Sequence, residues 1–302
     1  MAALPAPPVT AEAKRAAASL VAGCKVNLSL RITGRREDGY HTLESVFWPL
    51  PGPCDTLTVT RAAKEGLRFS CSDETLESPG NLVVKAYNAF AAATSFAPGL
   101  AVFLDKHIPY GAGLGGGSSN AAALLLYLNA LAREEGAPSL DGAALGKLGA
   151  RLGADVPFFF QNTPCLVRGI GDVLEPLPPD AAHRFAGLHL VLVCPKVHVA
   201  TAWAFAAWDE KHPAYTLTNR VEKDSSPLVR GIRIQNDLSH VVFERYPELK
   251  KTLALLHDFD ADAASMSGSG ASLFGLYSDA DNAGKAARFF LDTGELVFHH
   301  IL

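Results

Sequence analysis

The sequence predicts an α+β fold built as two domains, and three observations predict it. A length of 302 residues with 48% hydrophobic composition supplies a core for each of two domains. Polar Lys25, Asn27, Ser29 and Arg31 alternate with Val26, Leu28, Leu30 and Ile32, the period of two of a half-buried strand. Strands joined by short turns then mix with helices without the strict alternation of a doubly wound parallel sheet.

In chain order, the Pro/Ala-rich residues 1–20 read as a disordered extension. The strand at 24–32 follows, with Lys25 and Asn27 on one face. After the turn residues Arg36-Glu37-Asp38-Gly39, segments 40–50 and 55–60 are expected to be two antiparallel strands. Residues 81–93 read as a helix and 100–108 as a strand. A glycine segment at 109–120 opens an Ala/Leu-rich helix that runs to about Glu135. A helix at 141–152 and one extended segment at 164–177 complete the first domain, expected to span 21–176. Prolines at 176–179 mark the boundary with a second domain, 177–302. There we expect a strand at 188–194, helices at 201–210 and 236–257, a strand at 271–277, a helix at 280–291 and a last strand near Glu295.

Charged residues make up 19% of the chain and the formal net charge is -4, which leaves no large basic surface for a nucleic-acid backbone. An acidic small molecule would have to be met by local donors. The five cysteines, at 24, 54, 71, 165 and 194, form no C-x-x-C pair and no zinc-type spacing, which fits a reduced, cytoplasmic chain. The N-terminal segment lacks the apolar stretch of a secretory signal, and the uncharged run at 109–132 is interrupted by glycine, serine and asparagine. A soluble protein with no membrane partner is expected.

Gly111-Ala112-Gly113-Leu114-Gly115-Gly116 fits G-x-G-x-x-G, yet no second strand with an acidic residue follows about 20 positions on, as a dinucleotide fold requires. The loop also lacks the lysine of a Walker-type loop. What remains is five glycines in seven positions, ending in Ser118-Ser119 at a helix start. Backbone N–H groups and the positive end of the helix dipole can hold phosphate oxygens there.

Those residues, P-x-G-x-G-L-G-G-G-S-S-N-A-A, resemble the ATP-binding motif of the galactokinase, homoserine, mevalonate and phosphomevalonate kinase superfamily. Ala22-Gly23-Cys24-Lys25-Val26-Asn27-Leu28 is similar to its first motif and Met266-Ser267-Gly268-Ser269-Gly270-Ala271 to its third. Within the superfamily, the segments Thr33 to His41, Leu152 to Phe159 and Gly169-Ile170-Gly171-Asp172 resemble the branch that phosphorylates a cytidine-diphosphate-linked methylerythritol. The resemblance spans residues 22–278. It implies a ribosomal-S5-like N-terminal domain, a ferredoxin-like C-terminal domain and an active site between them. The implied reaction moves the ATP γ-phosphoryl to the 2-hydroxyl of the methylerythritol moiety, in the non-mevalonate route to isoprenoid precursors. A sister kinase for homoserine or mevalonate is the alternative.

Such a transfer needs an acceptor for the hydroxyl proton and positive charge near the moving phosphoryl. Read alone, Asp155 is a helix-end cap and Lys25 a solvated strand lysine; the resemblance makes them the base and its cationic partner. By the same route Tyr40 and Phe205 would stack on the cytosine, with Trp203 as the substitute for Phe205. His41 would read the base edge, and Ile170 would offer its backbone to it. Thr201 lies in the same substrate segment, and Asn27 would touch the diphosphate or hydroxyl. Lys106, Gly113, Gly115, Gly116, Gly117, Ser118 and Asn120 would cradle the ATP phosphates, with Asn81 near the adenine. Ser118 or Ser119 could reach Mg²⁺, which no dedicated carboxylate cage would hold. Ser267, Gly268 and Ser269 either bind ATP or buttress the loop. Cys24 stands where the family has a small alanine, and the N-terminal extension has no counterpart in the common pattern. His198, His240, His299 and His300 fall outside every motif.

Overall fold

The computed structural model of the chain describes residues 17–212 and 226–302. It is organised by two sheets, as an α+β fold. Strands β1 (Ala18–Arg35) and β2 (His41–Arg61) form a long antiparallel hairpin. β3 (Leu67–Cys71) and β4 (Leu100–Asp105) extend the sheet on the β2 side, and the hairpin of β5 (Cys165–Arg168) and β6 (Val173–Pro176) also adds to β2. Helices α1 (Leu82–Thr94), α2 (Gly116–Glu134), α3 (Gly142–Leu152) and the short α4 (Phe158–Gln161) cover one face. Phe90, Leu124, Leu128 and Phe158 pack there on Leu57 and Val102.

After α5 (Pro179–His183), β7 (His189–Cys194) enters a second, four-stranded antiparallel sheet, between a strand at 273–277 and one at 296–301, with a strand at 263–266 on the outer edge beyond the former. α6 (Thr201–Lys211) follows β7, and β8 (Leu228–Val229) with β9 (Ile232–Arg233) makes a small ribbon. β10 (Gln235–Asn236), α7 (Ser239–Arg245), α8 (Pro247–Asp258), β11 (Ala263–Met266), β12 (Leu273–Tyr277), α9 (Ala280–Asp292) and β13 (Leu296–Ile301) complete the chain. A third core lies between the two sheets, where Cys24, Val26 and Leu28 of β1 meet Leu190, Leu192 and Phe274.

The structure departs from the sequence expectations in identifiable places. Of the expected extension, residues 1–16 lie outside the described residues, while Ala18 to Leu20 already pair with Leu57 to Val59. β1 is buried on both faces from Cys24 to Leu28, not half-buried, because the second sheet covers the apolar face and the cavity wall encloses the polar one. The two strands expected at 40–50 and 55–60 are one strand, since β1 pairs along the whole length and absorbs the Pro-Gly-Pro interruption in a register shift. The segment at 164–177 folds back on itself at Gly169 and Gly171, both at positive φ. The helix expected at 236–257 is broken into α7 and α8 before Pro247, which cannot donate an internal helix bond. Its first residue, Asn236, instead belongs to β10, which pairs in parallel with Ser29 and Leu30. The second half of the chain thus returns a strand to the first sheet. β3 and β11 are outside the expectations: β3 alternates but is only five residues long, and the four residues of β11 do not alternate.

Candidate active site

One cavity of about 1050 Å³ opens between the two halves of the molecule. Its floor is the glycine segment. α2 starts at Gly116 with Gly115 as its N-cap at φ +73, and no side chain caps it. α1, α3 and α9 are each capped by Asn81, Asp141 or Asp279. The first-turn N–H groups of α2 therefore lack a side-chain acceptor and lie beside the cavity, together with the positive end of a 19-residue helix. That is an anion site made from backbone.

The loop is fixed by its neighbours. Lys25 N donates to Leu114 O at 3.0 Å, and Ser272 N to Ala112 O at 3.2 Å. A Cβ on Gly113 would stand 2.1 Å from the Ser267 carbonyl oxygen, and one on Gly116 would stand 2.8 Å from Ile108. A Cβ on Gly117 would meet nothing closer than 3.5 Å. Packing accounts for Gly113 and Gly116; Gly117 has room.

Lys25 is almost fully buried. Its Nζ donates to Asn27 Oδ1 at 2.6 Å and Gly113 O at 3.3 Å, and lies 4.5 Å over the Phe47 ring. Asp155 Oδ2 stands 3.4 Å from the same nitrogen, with the aspartate side chain 29% exposed to the cavity. Gly153, at the C-cap of α3, makes the turn that delivers Asp155 there. Asn27 spends its polar atoms internally, donating from Nδ2 to Ser45 Oγ at 2.9 Å and from its backbone N to Ser267 Oγ at 3.1 Å. It orients Lys25 from the cavity wall.

Lys106 faces the N-terminus of α2, its Nζ 3.3 Å from where a Cβ on Gly116 would begin. Asp55 holds it. The Asp55 carboxylate has no exposed surface and accepts from Lys106 Nζ at 2.5 Å, from the backbone N–H groups of His107 and Ile108 at 2.8 Å each, and from Asn120 Nδ2 at 2.8 Å. Four donors on one carboxylate meet the requirement that a buried charge be paired and saturated. These bonds also end β4 at Asp105, three residues short of the expected strand.

At the other end of the cavity, Tyr40 is exposed and lines the wall, with neither ring face stacked among the described residues. His41 stacks on Phe205, with centroids 4.9 Å apart and planes 20° apart, and its Nε2 lies 2.6 Å from Asp209 Oδ1. Ile170, Gly171 and Thr201 complete this end, Thr201 Oγ1 lying 2.8 Å from Ser269 Oγ.

The cavity thus collects Lys25, Asn27, Tyr40, His41, Asn81, Lys106, Gly113, Gly115, Gly116, Gly117, Ser118, Asn120, Asp155, Ile170, Thr201, Phe205, Gly268 and Ser269 from sequence segments far apart. Ser119 and Trp203 fall off the cavity wall, and the hydrogen bonds of Ser267, Asn81 and Ile170 narrow what each can offer. Ser119 is buried off the cavity wall, one position past Ser118, where the helix turns it toward the core. Ser267 is likewise buried and spends its hydroxyl on Gly113 O at 2.9 Å, so it buttresses the loop. Trp203 packs on Arg245 and Tyr246, off this cavity, and does not substitute for Phe205. The Asn81 amide is committed to Val83 N and Leu76 O as a helix cap. Ile170 N donates to Asp172 Oδ1 at 3.1 Å, which leaves the carbonyl as the backbone group Ile170 can offer.

Sequence reasoning missed Asp55, Asp209 and Asn236. Asn236 donates to both Met266 O and Gly268 O at 2.7 Å and so shapes the third motif loop. Asp55 alone carried a signal, a charge placed before the alternating run Thr56 to Thr60.

Residues 81–162 match the family model of the GHMP kinases N terminal domain, and residues 219–296 that of the GHMP kinases C terminal. The 4-diphosphocytidyl-2-C-methyl-D-erythritol kinase of Nitratidesulfovibrio vulgaris (strain Hildenborough) is 41% identical over 291 residues, covering 95% of this chain and 99% of that protein. The enzyme of the same name from Solidesulfovibrio magneticus is 43% identical over 279 residues, covering 90% and 92%. A crystal structure of 4-(cytidine 5'-diphospho)-2C-methyl-D-erythritol kinase matches with a TM-score of 0.74 at 31% identity, over 93% of this chain and 98% of that one. The homoserine kinase from Cytophaga hutchinsonii shares the fold, with a TM-score of 0.62 at 19% identity over 94% and 95% of the two chains.

Proposed function

The chain belongs to the 4-diphosphocytidyl-2-C-methyl-D-erythritol kinases, a branch of the GHMP kinases, and from that premise we infer how its residues divide the work. It is a small-molecule kinase that transfers the γ-phosphoryl of ATP to the 2-hydroxyl of 4-diphosphocytidyl-2-C-methyl-D-erythritol, a step in forming isoprenoid precursors by the non-mevalonate route. The observation that carries the assignment of roles is the Lys25–Asp155 pair on the wall of a cavity that has an uncapped helix N-terminus on its floor.

In our reading, Asp155 accepts the proton of the attacking hydroxyl. Lys25, 3.4 Å away, places positive charge beside the carboxylate and the transferring group. The N–H groups at Gly116, Gly117 and Ser118 hold phosphate oxygens, and Lys106 adds a fixed cation. Positioning and charge supply most of what phosphoryl transfer asks of a protein. The residues present suit Mg²⁺ carried on the nucleotide. The Ser118 hydroxyl lies 3.5 Å from where a side chain on Gly153 would begin, two residues before Asp155, so two hard oxygen donors share one wall. Bound there, the ion would neutralise charge on the β- and γ-phosphates. Tyr40, His41, Phe205 and the Ile170 carbonyl would take the cytosine, with Tyr40 closing over the base.

No helix of the described residues is long and apolar enough to cross a membrane. The cytoplasmic setting we propose is supported by five cysteines that are all free thiols.

The deciding assay compares ATP-dependent turnover of the cytidyl substrate, mevalonate and homoserine by the purified chain and by Asp155→Asn. Turnover of the cytidyl substrate alone, lost in the variant, is expected. Turnover of mevalonate or homoserine instead would sink the cytosine end of the reading.

A further inference from the structure

Asp209 belongs to none of the sequence motifs, yet it lies one helical turn beyond Phe205 on α6, so a single helix face meets His41 twice. Phe205 lies against the imidazole face, the Trp208 ring meets it edge-on at 5.8 Å, and Asp209 Oδ1 stands 2.6 Å from Nε2. The other oxygen of that carboxylate is 3.3 Å from an Arg35 nitrogen. Arg35 and His41 are direct cross-strand partners at the turn end of the β1–β2 hairpin, so both reach the same aspartate.

An ionised carboxylate only accepts hydrogen bonds, so the hydrogen in the 2.6 Å contact sits on Nε2. Arg35 supplies counter-charge to the same carboxylate, so the contact asks of His41 only the hydrogen on Nε2. A neutral imidazole with its hydrogen on Nε2 carries a lone pair on Nδ1. Nδ1 has no hydrogen-bond partner among the described residues, and His41 lines the cavity.

We propose that Asp209 is a positioning residue that fixes His41 as the Nε2–H tautomer, so that Nδ1 accepts from the exocyclic amino group of cytosine and repels the carbonyl oxygen that uracil carries in its place. The inference rests on the reading that this end of the cavity takes a cytosine. It extends that reading to the choice between pyrimidines. Cytosine presents an amino donor where uracil presents an acceptor, so a lone pair held in place separates them. A ring free to exchange tautomers would serve either base.

The test uses the full chain labelled with ¹⁵N at histidine, with the His41 signals identified by their loss in His41→Gln. Two-bond ¹H–¹⁵N correlation spectra of the unliganded protein should show the Nε2–H tautomer at His41, and Asp209→Ala should move both ring nitrogens toward tautomer-averaged positions. In turnover assays Asp209→Ala should raise KM for the cytidyl substrate roughly tenfold to a hundredfold, with KM for ATP unmoved. The preference for the cytidyl substrate over its uridine counterpart should fall by a similar factor, and Asp209→Glu should restore part of it. A wild-type Nδ1–H tautomer, or a preference unchanged in Asp209→Ala, would overturn the proposal. If the wild type keeps the Nε2–H tautomer but turns over neither pyrimidine substrate while phosphorylating mevalonate or homoserine, the functional reading fails, and base selection fails with it.

Discussion

Lys25 Nζ stands 3.4 Å from Asp155 Oδ2, with the lysine sealed in the wall and the aspartate open to the cavity. The asymmetry assigns their work: the exposed partner can reach a substrate proton, and the buried one can hold its charge close without being solvated away. Asp155→Asn keeps the shape and removes the proton acceptor. We expect kcat to fall by roughly 10²- to 10⁴-fold with KM for ATP within about twofold, measured by coupled ADP release. Lys25→Met should lower kcat on a similar scale. An Asp155→Asn variant with near-normal kcat would show that the hydroxyl loses its proton elsewhere.

Asp55 predicts a different kind of failure. It touches no part of the cavity, but Lys106, Asn120 and two backbone N–H groups all depend on it. Asp55→Ala would leave a nearly buried ammonium without its counter-ion, a loss of about 3–5 kcal/mol where one member of a buried pair is removed. Urea unfolding should show that loss, and residual folded protein should bind ATP more weakly because Lys106 is no longer aimed at the glycine loop. Full stability in Asp55→Ala would mean that Lys106 finds another partner.

These two pairs also mark what the sequence makes legible. Lys25 and Asp155 stand inside motifs whose glycines and prolines punctuate the chain, so their roles can be read from order along it. Asp55 and Asp209 act through partners 51 and 168 residues away, Lys106 and His41. Periodicity sees a residue's neighbours along the chain and not its partners across the fold. The same limit explains β10. Two residues cannot announce a strand, and Gln235 and Asn236 become one only because Ser29 and Leu30 offer an edge. Several long helices are visible because they carry their own period, and α1, α3 and α9 also have a capping side chain; the break before Pro247 is equally written in the sequence. Ser119 and Ser267 show the remaining gap, since a serine beside a glycine loop reads alike whether it faces the ligand or the core.

Gly113 and Gly117 separate packing from binding. Gly113 has φ +76 and its missing Cβ would overlap the Ser267 carbonyl, so Gly113→Ala should destabilise the protein and disturb the junction of two loops. Gly117 lies inside α2 with 3.5 Å of clearance. Gly117→Ala should leave stability unchanged or raise it by up to about 1 kcal/mol from helix propensity, while KM for ATP rises because a methyl now stands against the phosphates. Thermal melting and ATP titration on the same two variants suffice. Unchanged ATP affinity in Gly117→Ala would remove that part of the helix from the phosphate site.

The histidines outside the cavity predict a loss of stability in mild acid. Burial lowers the pKa of His240, with the nearby His212 adding to the effect. Burial also lowers His299, helped by His189, whose Nδ1 is 2.9 Å from His299 Nε2, and it lowers His300 on the neighbouring position of β13. In each case the folded-state value lies below the ordinary 6.5. Above that pH neither state takes up the proton and the contribution is fully present. As pH falls below it, the unfolded chain binds protons that the folded chain refuses, so stability drops until the folded-state values are passed. Melting temperature should be flat from about pH 7 to 8 and decline below about 6.5, with the decline shallower in His299→Gln and His300→Gln. A melting temperature that rises on going from pH 7 to pH 6 would contradict the sign. It would mean that β13 gains more from protonation at His299 or His300 than it loses by burying the charge.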